Sequence, residues 1–184
     1  MSTATTGRLL VATPMLADPN FSRTVVLMLE HSDTGALGVV LNRPSTLPVG
    51  EILPAWAGVV QPPVAVFHGG PVATDSALGL VRTAQPAPPL GVRLLRDSLG
   101  LIDLDTPVEV AAPGVATMRV FAGYAGWSSG QLEGEIDEGA WFVVEAAAED
   151  PFSPDPDHLW AAVLRRQPHP LSLVASFPTD PSLN

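Results

Sequence analysis

The sequence of 184 residues contains no cysteine and no lysine. Without cysteine the chain has no disulfide bond, no thiol nucleophile and no cysteine-ligated zinc site. Without lysine it has neither the amine of Schiff-base catalysis nor the phosphate-binding lysine of a P-loop. The nine basic residues are therefore all arginines. These two absences exclude several common enzyme mechanisms.

Long apolar runs are also missing, although 46% of the residues are hydrophobic. Glycine, proline or a charged residue interrupts each run well before the roughly 20 residues of a membrane-spanning helix, so we expect no membrane association. The first residues carry no basic stretch ahead of an apolar segment, which argues against a secretory signal and favours a cytoplasmic location. At this length we expect one domain, residues 1–184.

Charge is unevenly distributed along the chain, whose formal net charge is −10. Six arginines balance six carboxylates up to Gly100, whereas nine carboxylates and no basic residue lie between Arg119 and Arg165. Such an acidic region repels the phosphates of nucleic acids, so we expect no nucleic-acid partner. We also predict no cofactor. The expected partner is a small ligand or a protein, and the sequence leaves the oligomeric state open.

Short apolar, β-branched segments separated by turn signals predict a sheet. These segments are residues 8–12, 24–31, 36–41, 64–68, 77–82, 117–124 and 141–145. The connections in the first half are too short for helical crossovers, so we expect a mostly antiparallel sheet.

Three helices are predicted beside the sheet. One begins near Pro48, one begins at a capping box on Ser128 and closes at Gly139, and one follows Asp155 as its N-cap and ends near residue 166. The proline-rich residues 85–89 are predicted to form a surface loop.

A dense run of glycine, aromatic and polar residues at 121–133, FAGYAGWSSGQLE, is the most distinctive feature of the chain. Polar and aromatic side chains also lie beside glycine or proline at other predicted strand ends, where pockets form. We therefore predict a ligand-binding site at these strand ends. Its candidate residues are Arg43, His68, Gly69, Gly70, Tyr124, Trp127 and Gln131.

Two of these features have a structural alternative. The guanidinium of Arg43 either clamps an anionic ligand or forms a structural ion pair. The backbone amides of residues 68–72 form either an anion-binding nest or a tight turn.

Catalysis is a competing hypothesis. The residues GWSSG at 126–130 match the nucleophile elbow of α/β-hydrolases, with Ser128 as nucleophile, Asp137 or Asp150 as the acid and His158 or His169 as the base. The short chain and the antiparallel sheet favour Ser128 as a helix cap instead. A metal centre would draw on histidine and carboxylate ligands, although their spacing is not diagnostic. Its candidates are Glu30, His31, His68, Asp75 and His158.

Six stretches, taken in order, resemble the YqgE/AlgH family of bacterial proteins. They are GRLLVA at 7–12, DPNF with RTVV at 18–26, EH at 30–31, GVVLNRP at 38–44, HGGPV at 68–72 and the run at 121–133. Each stretch is weakly specific, but their joint order across nearly the whole chain is highly specific. The resemblance implies a single α+β domain whose mostly antiparallel sheet bends into a partial barrel flanked by a few helices.

The resemblance implies less about activity. The family carries the label of transcriptional regulator without a recognisable DNA-binding helix, and it offers no established catalytic residues. Its pattern commonly has glycine at the position of Ser128, which weakens the hydrolase hypothesis. The leading prediction is a cytoplasmic, non-enzymatic protein that binds a small ligand or a protein partner. Regulation is one role that such binding would allow. A hydrolase and a DNA-dependent regulator are the alternatives.

Overall fold

The computed structural model describes residues 5–179, in which ten strands form one curled sheet. The strands are β1 (Leu9–Ala12), β2 (Val25–Ser32), β3 (Gly35–Val40), β4 (Pro44–Pro48), β5 (Ala65–His68), β6 (Val72–Thr83), β7 (Val92–Arg96), β8 (Leu99–Ile102), β9 (Val115–Ser128) and β10 (Trp141–Val144). Their order is β10-β1-β2-β3-β9-β6-β8-β7, and β5 pairs with both β4 and β9.

Every pairing within these residues is antiparallel except that of β5 with β9. The sheet curls into a half-barrel with a few helices beside it. The predicted α+β fold, with a mostly antiparallel sheet bent into a partial barrel, is therefore confirmed.

Short helices flank the sheet. The α-helices are α1 (Val49–Ile52), α2 (Val108–Ala111), α3 (Gln131–Asp137) and α4 (Leu159–Arg165). The 3-10 helices are Pro54–Trp56, Ala112–Gly114, Asp150–Phe152, Pro156–His158 and Leu171–Ser176. None of the helices in residues 5–179 has the length and apolar composition needed to cross a membrane.

The three predicted helices are present, with two corrections. The helix predicted to begin at Ser128 begins at Gln131, because β9 stays extended through Ser128, which pairs with Gly35 of β3. Strand pairing thus overrides the local capping signal. Asp155 does not cap its helix through its side chain, because its carboxylate binds Nδ1 of His158 at 2.9 Å.

All of β1 and the first five residues of β2 are buried. Because successive side chains of a strand point to opposite sides, the sheet is covered on both faces there. Leu9 and Leu27 join a core that includes Trp160 of α4. Leu10 and Val26, on the other face, join a second core that includes the residues packed around α3. A third core lies under α1 and α2 and contains residues of β6, β8 and β9.

Strand β9 is the longest strand and holds the sheet together. Its first half pairs with β6, its second half with β3, and its centre with β5. Gly123 lies at this centre with φ +76°, a conformation that L side chains rarely adopt. A Cβ there would lie 2.5 Å from the carbonyl oxygen of Gly70. Glycine at this position lets the two chain segments approach closely.

Candidate functional site

Three of the predicted site residues, Arg43, His68 and Gly70, line one surface pocket of about 260 Å³. The pocket lies where β3 and β5 end and where the connection between β1 and β2 passes. The remaining lining residues are Asn20, Val40, Pro71 and Thr74. The lining therefore carries two basic side chains and no acidic one, in a chain with nineteen acidic residues.

Arg43 reaches from the start of β4 to the β1–β2 connection. Its Nη1 donates to the carbonyl oxygen of Asn20 at 2.8 Å, and its Nη2 donates to that of Ser22 at 3.0 Å. Within residues 5–179 no carboxylate oxygen lies within salt-bridge distance of this guanidinium. Burial lowers the pKa of Arg43, and the charge of nearby Asp18 partly offsets this effect.

The neighbouring side chain of Asn42 holds the same connection. Its Nδ2 donates to the carbonyl oxygen of Arg23 at 2.9 Å, and its Oδ1 accepts from the backbone amide of Val25 at 3.0 Å. Asn42 and Arg43 together fix the backbone of the β1–β2 connection beside the pocket. Sequence reasoning offered a ligand clamp or a structural ion pair for Arg43 and missed its contacts to backbone carbonyl groups, because those groups lie about twenty residues away.

The glycines next to His68 serve the close approach to β9. The amide of Gly69 donates to the carbonyl oxygen of Ala122 at 2.9 Å, and its carbonyl oxygen accepts from the amide of Val40 at 2.8 Å. A Cβ on either Gly69 or Gly70 would collide with the backbone of β9. The amide of Gly69 is thus not free for an anion-binding nest, and these contacts favour the tight-turn interpretation.

The pocket also contains polar side chains with spare hydrogen-bonding capacity. In the described part of the chain, the side chains of Asn20, His68 and Thr74 make no hydrogen bond. The backbone amide of His68 donates to the carbonyl oxygen of Arg43 at 2.8 Å, which fixes the two residues side by side. Thr74 follows Ala73, whose φ of 48° marks a bulge in β6. Nothing in the local sequence predicts that bulge.

Trp127 and Gln131 lie away from this pocket. Trp127 is buried and pairs with Ala36, four residues before Val40 and so about 13 Å away along β3. Its ring makes an edge contact with Trp141, with ring centroids 6.2 Å apart. Gln131 is occupied by the turn into α3, because its Oε1 accepts from the amide of Ser128 at 3.0 Å.

Tyr124 is the last of the predicted site residues. Its backbone pairs with Val72, and its half-buried ring packs against the core that contains Trp160. Tyr124 is therefore part of the hydrophobic packing beneath the sheet and does not line the pocket.

A profile of the AlgH-like family matches residues 9–172, most of the chain. The chain belongs to the AlgH-like family. It is 56% identical over 183 residues to the UPF0301 protein SCO2948 of Streptomyces coelicolor, a match that covers 97% of this chain and 95% of that protein. It is 47% identical over 181 residues to a UPF0301 protein of Mycobacterium ulcerans, covering 97% and 90%.

Two solved AlgH-like structures are similar to the structure of this chain. The crystal structure of protein DIP2367 from Corynebacterium diphtheriae has a TM-score of 0.89 and 37% identity, covering 94% of this chain and 92% of that chain. The solution structure of the AlgH protein from Pseudomonas aeruginosa has a TM-score of 0.68 and 32% identity, covering 97% and 96%. The predicted family is confirmed, and the names of these relatives state no substrate or reaction.

The geometry around Ser128 in this AlgH-like chain does not resemble a nucleophile elbow. The Oγ of Ser128 lies 3.2 Å from Oε1 of Gln131, and within residues 5–179 it has no histidine partner. His158 instead contacts Asp155, and the buried carboxylate of Asp150 accepts from Nη1 of Arg166 at 2.8 Å. Of the candidate partners, His158 and Asp150 are thus engaged elsewhere, and in the described residues neither Asp137 nor His169 makes a hydrogen bond to Ser128.

The histidine and carboxylate candidates for a metal centre do not converge in the AlgH-like fold. No three His, Asp or Glu side chains in residues 5–179 are arranged to hold one ion. The imidazole of His31 is buried between the Oγ1 of Thr5 at 2.9 Å and the Oε1 of Glu133 at 2.7 Å. Glu30 lies in β2 and His68 ends β5, and both are exposed.

Proposed function

We propose that this AlgH-like protein is a non-enzymatic, cytoplasmic binding protein whose ligand carries a carboxylate or phosphate group. The group binds in the pocket of Arg43, His68 and Gly70. The observation that carries the proposal is the convergence of three separate chain segments on one pocket with two basic side chains and no acidic one. Each of these segments also belongs to the stretches that resemble the family.

The available donors fit an oxyanion. A guanidinium has five N–H donors, of which the contacts to Asn20 and Ser22 use two. His68, Thr74 and Asn20 add an imidazole, a hydroxyl and an amide on the same rim. Hydrogen bonds from charged donors to an oxyanion are stronger than neutral ones, which favours an anionic ligand over a neutral one.

The size of the pocket limits what enters it. Its volume of about 260 Å³ is slightly below the roughly 300–1,000 Å³ of clefts that enclose drug-sized ligands. A compact metabolite fits, and so does the charged end of a longer molecule. The acidic side chain of a protein partner presents the same chemistry and is covered by the same proposal.

Thermal unfolding with and without inorganic phosphate or succinate tests the proposal. A ligand that binds only the folded state raises the melting temperature by mass action. We expect a concentration-dependent rise that sodium chloride at equal ionic strength does not reproduce. The His68→Asn and Thr74→Val variants are expected to lose most of this rise.

The matched control is His158→Asn, which replaces another exposed histidine, one that lies outside the pocket. This control is expected to respond to phosphate and succinate as the wild type does. If neither anion shifts the melting temperature, or if the shift survives both pocket substitutions, the proposed site is wrong.

A further inference from the structure

A second and larger cavity lies next to the same β1–β2 connection. It is an apolar groove of about 500 Å³, within the roughly 300–1,000 Å³ range of small-molecule clefts. Ser22 and Arg23 of the connection form one wall, and the segment after α4 forms another. Its apolar lining includes Met15, Phe142 and Phe177.

Apolar side chains are exposed to solvent in this groove. Met15 exposes 82% of its surface and Phe177 exposes 48%. An apolar ligand that covers these groups removes them from water, which is favourable in proportion to the apolar area covered. The groove therefore favours an occupant with an apolar body.

Among residues 5–179, Arg23 is the single charged residue of the lining. Its guanidinium lies 3.9 Å from the centre of the Trp160 ring, and its Nη1 donates to the carbonyl oxygen of Phe177 at 3.1 Å. Burial lowers the pKa of Arg23. Within residues 5–179 no carboxylate forms a salt bridge with it. A partly desolvated cation thus faces the groove without a counter-ion from the described chain.

The backbone of Arg23 is held in an unusual conformation. Its φ of 55° lies in the left-handed region, which is strained for a residue other than glycine. The amide of Asn42 supports it through the hydrogen bond to the Arg23 carbonyl oxygen. A strained residue persists only where the surrounding structure stabilises it, and such residues cluster at functional sites. Here the held conformation places the guanidinium at the wall of the groove.

We propose that the groove binds a free fatty-acid-type monocarboxylate. The carboxylate pairs with Arg23 and accepts a hydrogen bond from the hydroxyl of Ser22, which has no partner in the described residues. The apolar tail covers Met15, Phe142 and Phe177. This site is separate from the oxyanion pocket and does not depend on the function proposed above.

Calorimetric titration with decanoate, kept below its micelle-forming concentration, tests this inference. We expect saturable binding, and we expect decanol to bind about tenfold more weakly because it lacks the charge-assisted hydrogen bonds to Arg23. The Arg23→Gln variant is expected to remove this difference. Arg93→Gln, an exposed arginine outside the groove, is the matched control and is expected to bind decanoate as the wild type does.

A second variant separates binding from folding. Met15 is so exposed that Met15→Glu leaves the core intact, yet it places a negative charge on the rim and is expected to weaken decanoate binding by about tenfold or more. The melting temperature of each variant shows whether it is folded. Absence of saturable decanoate binding overturns the proposal, and so does equal binding of decanoate and decanol. Decanoate binding that is unchanged in Met15→Glu overturns the assignment to this groove.

Discussion

Arg119 shows at the scale of one residue how the fold uses arginine for structure. Its side chain is fully buried in β9, 4.5 Å from the centre of the Phe67 ring. It donates to the carbonyl oxygens of Ser153 and Pro62, both at 2.8 Å. Burial lowers the pKa of Arg119 to about 10, so it remains a cation at neutral pH. This one side chain ties two distant loops to the central strand.

The Arg119→Met variant is expected to lower the free energy of unfolding by about 2–4 kcal/mol, because the buried carbonyl oxygen of Ser153 and the partly buried one of Pro62 lose their charged donor. Urea denaturation measures this change. The exposed control Arg93→Met is expected to stay within about 0.5 kcal/mol of the wild type. An equally small effect for Arg119→Met would show that the loops do not depend on this cation.

The lowered pKa of Glu133 leads us to expect that the stability of the protein depends on pH. A hydrogen bond to its own backbone, and then the hydrogen bond to His31, lower the pKa of Glu133 from its ordinary 4.5. Its folded pKa therefore lies below its unfolded pKa. The stabilisation is present above about pH 4.5 and is lost as the pH falls through the folded pKa. The buried imidazole of His31 makes this pair part of the fold.

Between pH 6 and pH 3, the free energy of unfolding is expected to fall less steeply for Glu133→Gln than for the wild type. Denaturant unfolding curves measured at each pH give this free energy. Glu138→Gln, an exposed neighbour, is the control and is expected to retain the wild-type slope. Parallel curves for wild type and Glu133→Gln would contradict the assignment.

At the scale of elements, strand β9 depends on one glycine. Gly123→Ala is expected to lower the free energy of unfolding by about 2 kcal/mol or more, because φ is positive and the new Cβ would crowd the carbonyl oxygen of Gly70. Gly126→Ala is the control within the same strand. Its Cβ would lie 3.7 Å from the ring of Tyr124, an ordinary contact, so a small effect is expected. Thermal denaturation of the two variants gives the comparison, and equal losses would contradict it.

The sequence predicts the β-rich elements well and the leucine-rich ones poorly. All seven predicted strands are present, because β-branched and apolar alternation favours a pleated surface. Strands β7 and β8 are missed because leucine dominates residues 92–102 and fits helices as readily. Their hairpin turns at Asp97, whose φ is 51°. Strand β4 is missed because prolines stand at both its ends, and it pairs with β5 only at Pro44 and Pro48.

The sequence identifies only part of the candidate site. Arg43 and His68 come together because β4 and β5 pair, and their position at strand ends indicates a pocket. Trp127 and Gln131 have the same local signal, but their side chains complete the packing and the turn at α3. Composition cannot separate these cases, since only the pairing order of the strands decides which ends meet. Thr74 lines the pocket at an irregular bulge in β6, which the sequence does not predict.

At the scale of the whole molecule, the net charge of −10 opposes nucleic-acid binding. Helix α3 is strongly acidic, with Glu133, Glu135 and Asp137 within seven residues. Fluorescence anisotropy of a labelled DNA duplex at low salt is expected to stay constant as the protein is added. Binding that weakens steeply with added salt would instead support a DNA-dependent regulator.

Binding of an oxyanion beside His68 is directly measurable. The most direct measurement follows the ring signals of the four histidines by NMR while phosphate is added at constant pH and ionic strength. We expect the His68 signals to shift and saturate, while those of buried His31 and of exposed His158 stay in place. If the His68 signals do not move, or if His68 and His158 move together without saturation, the pocket does not bind the oxyanion.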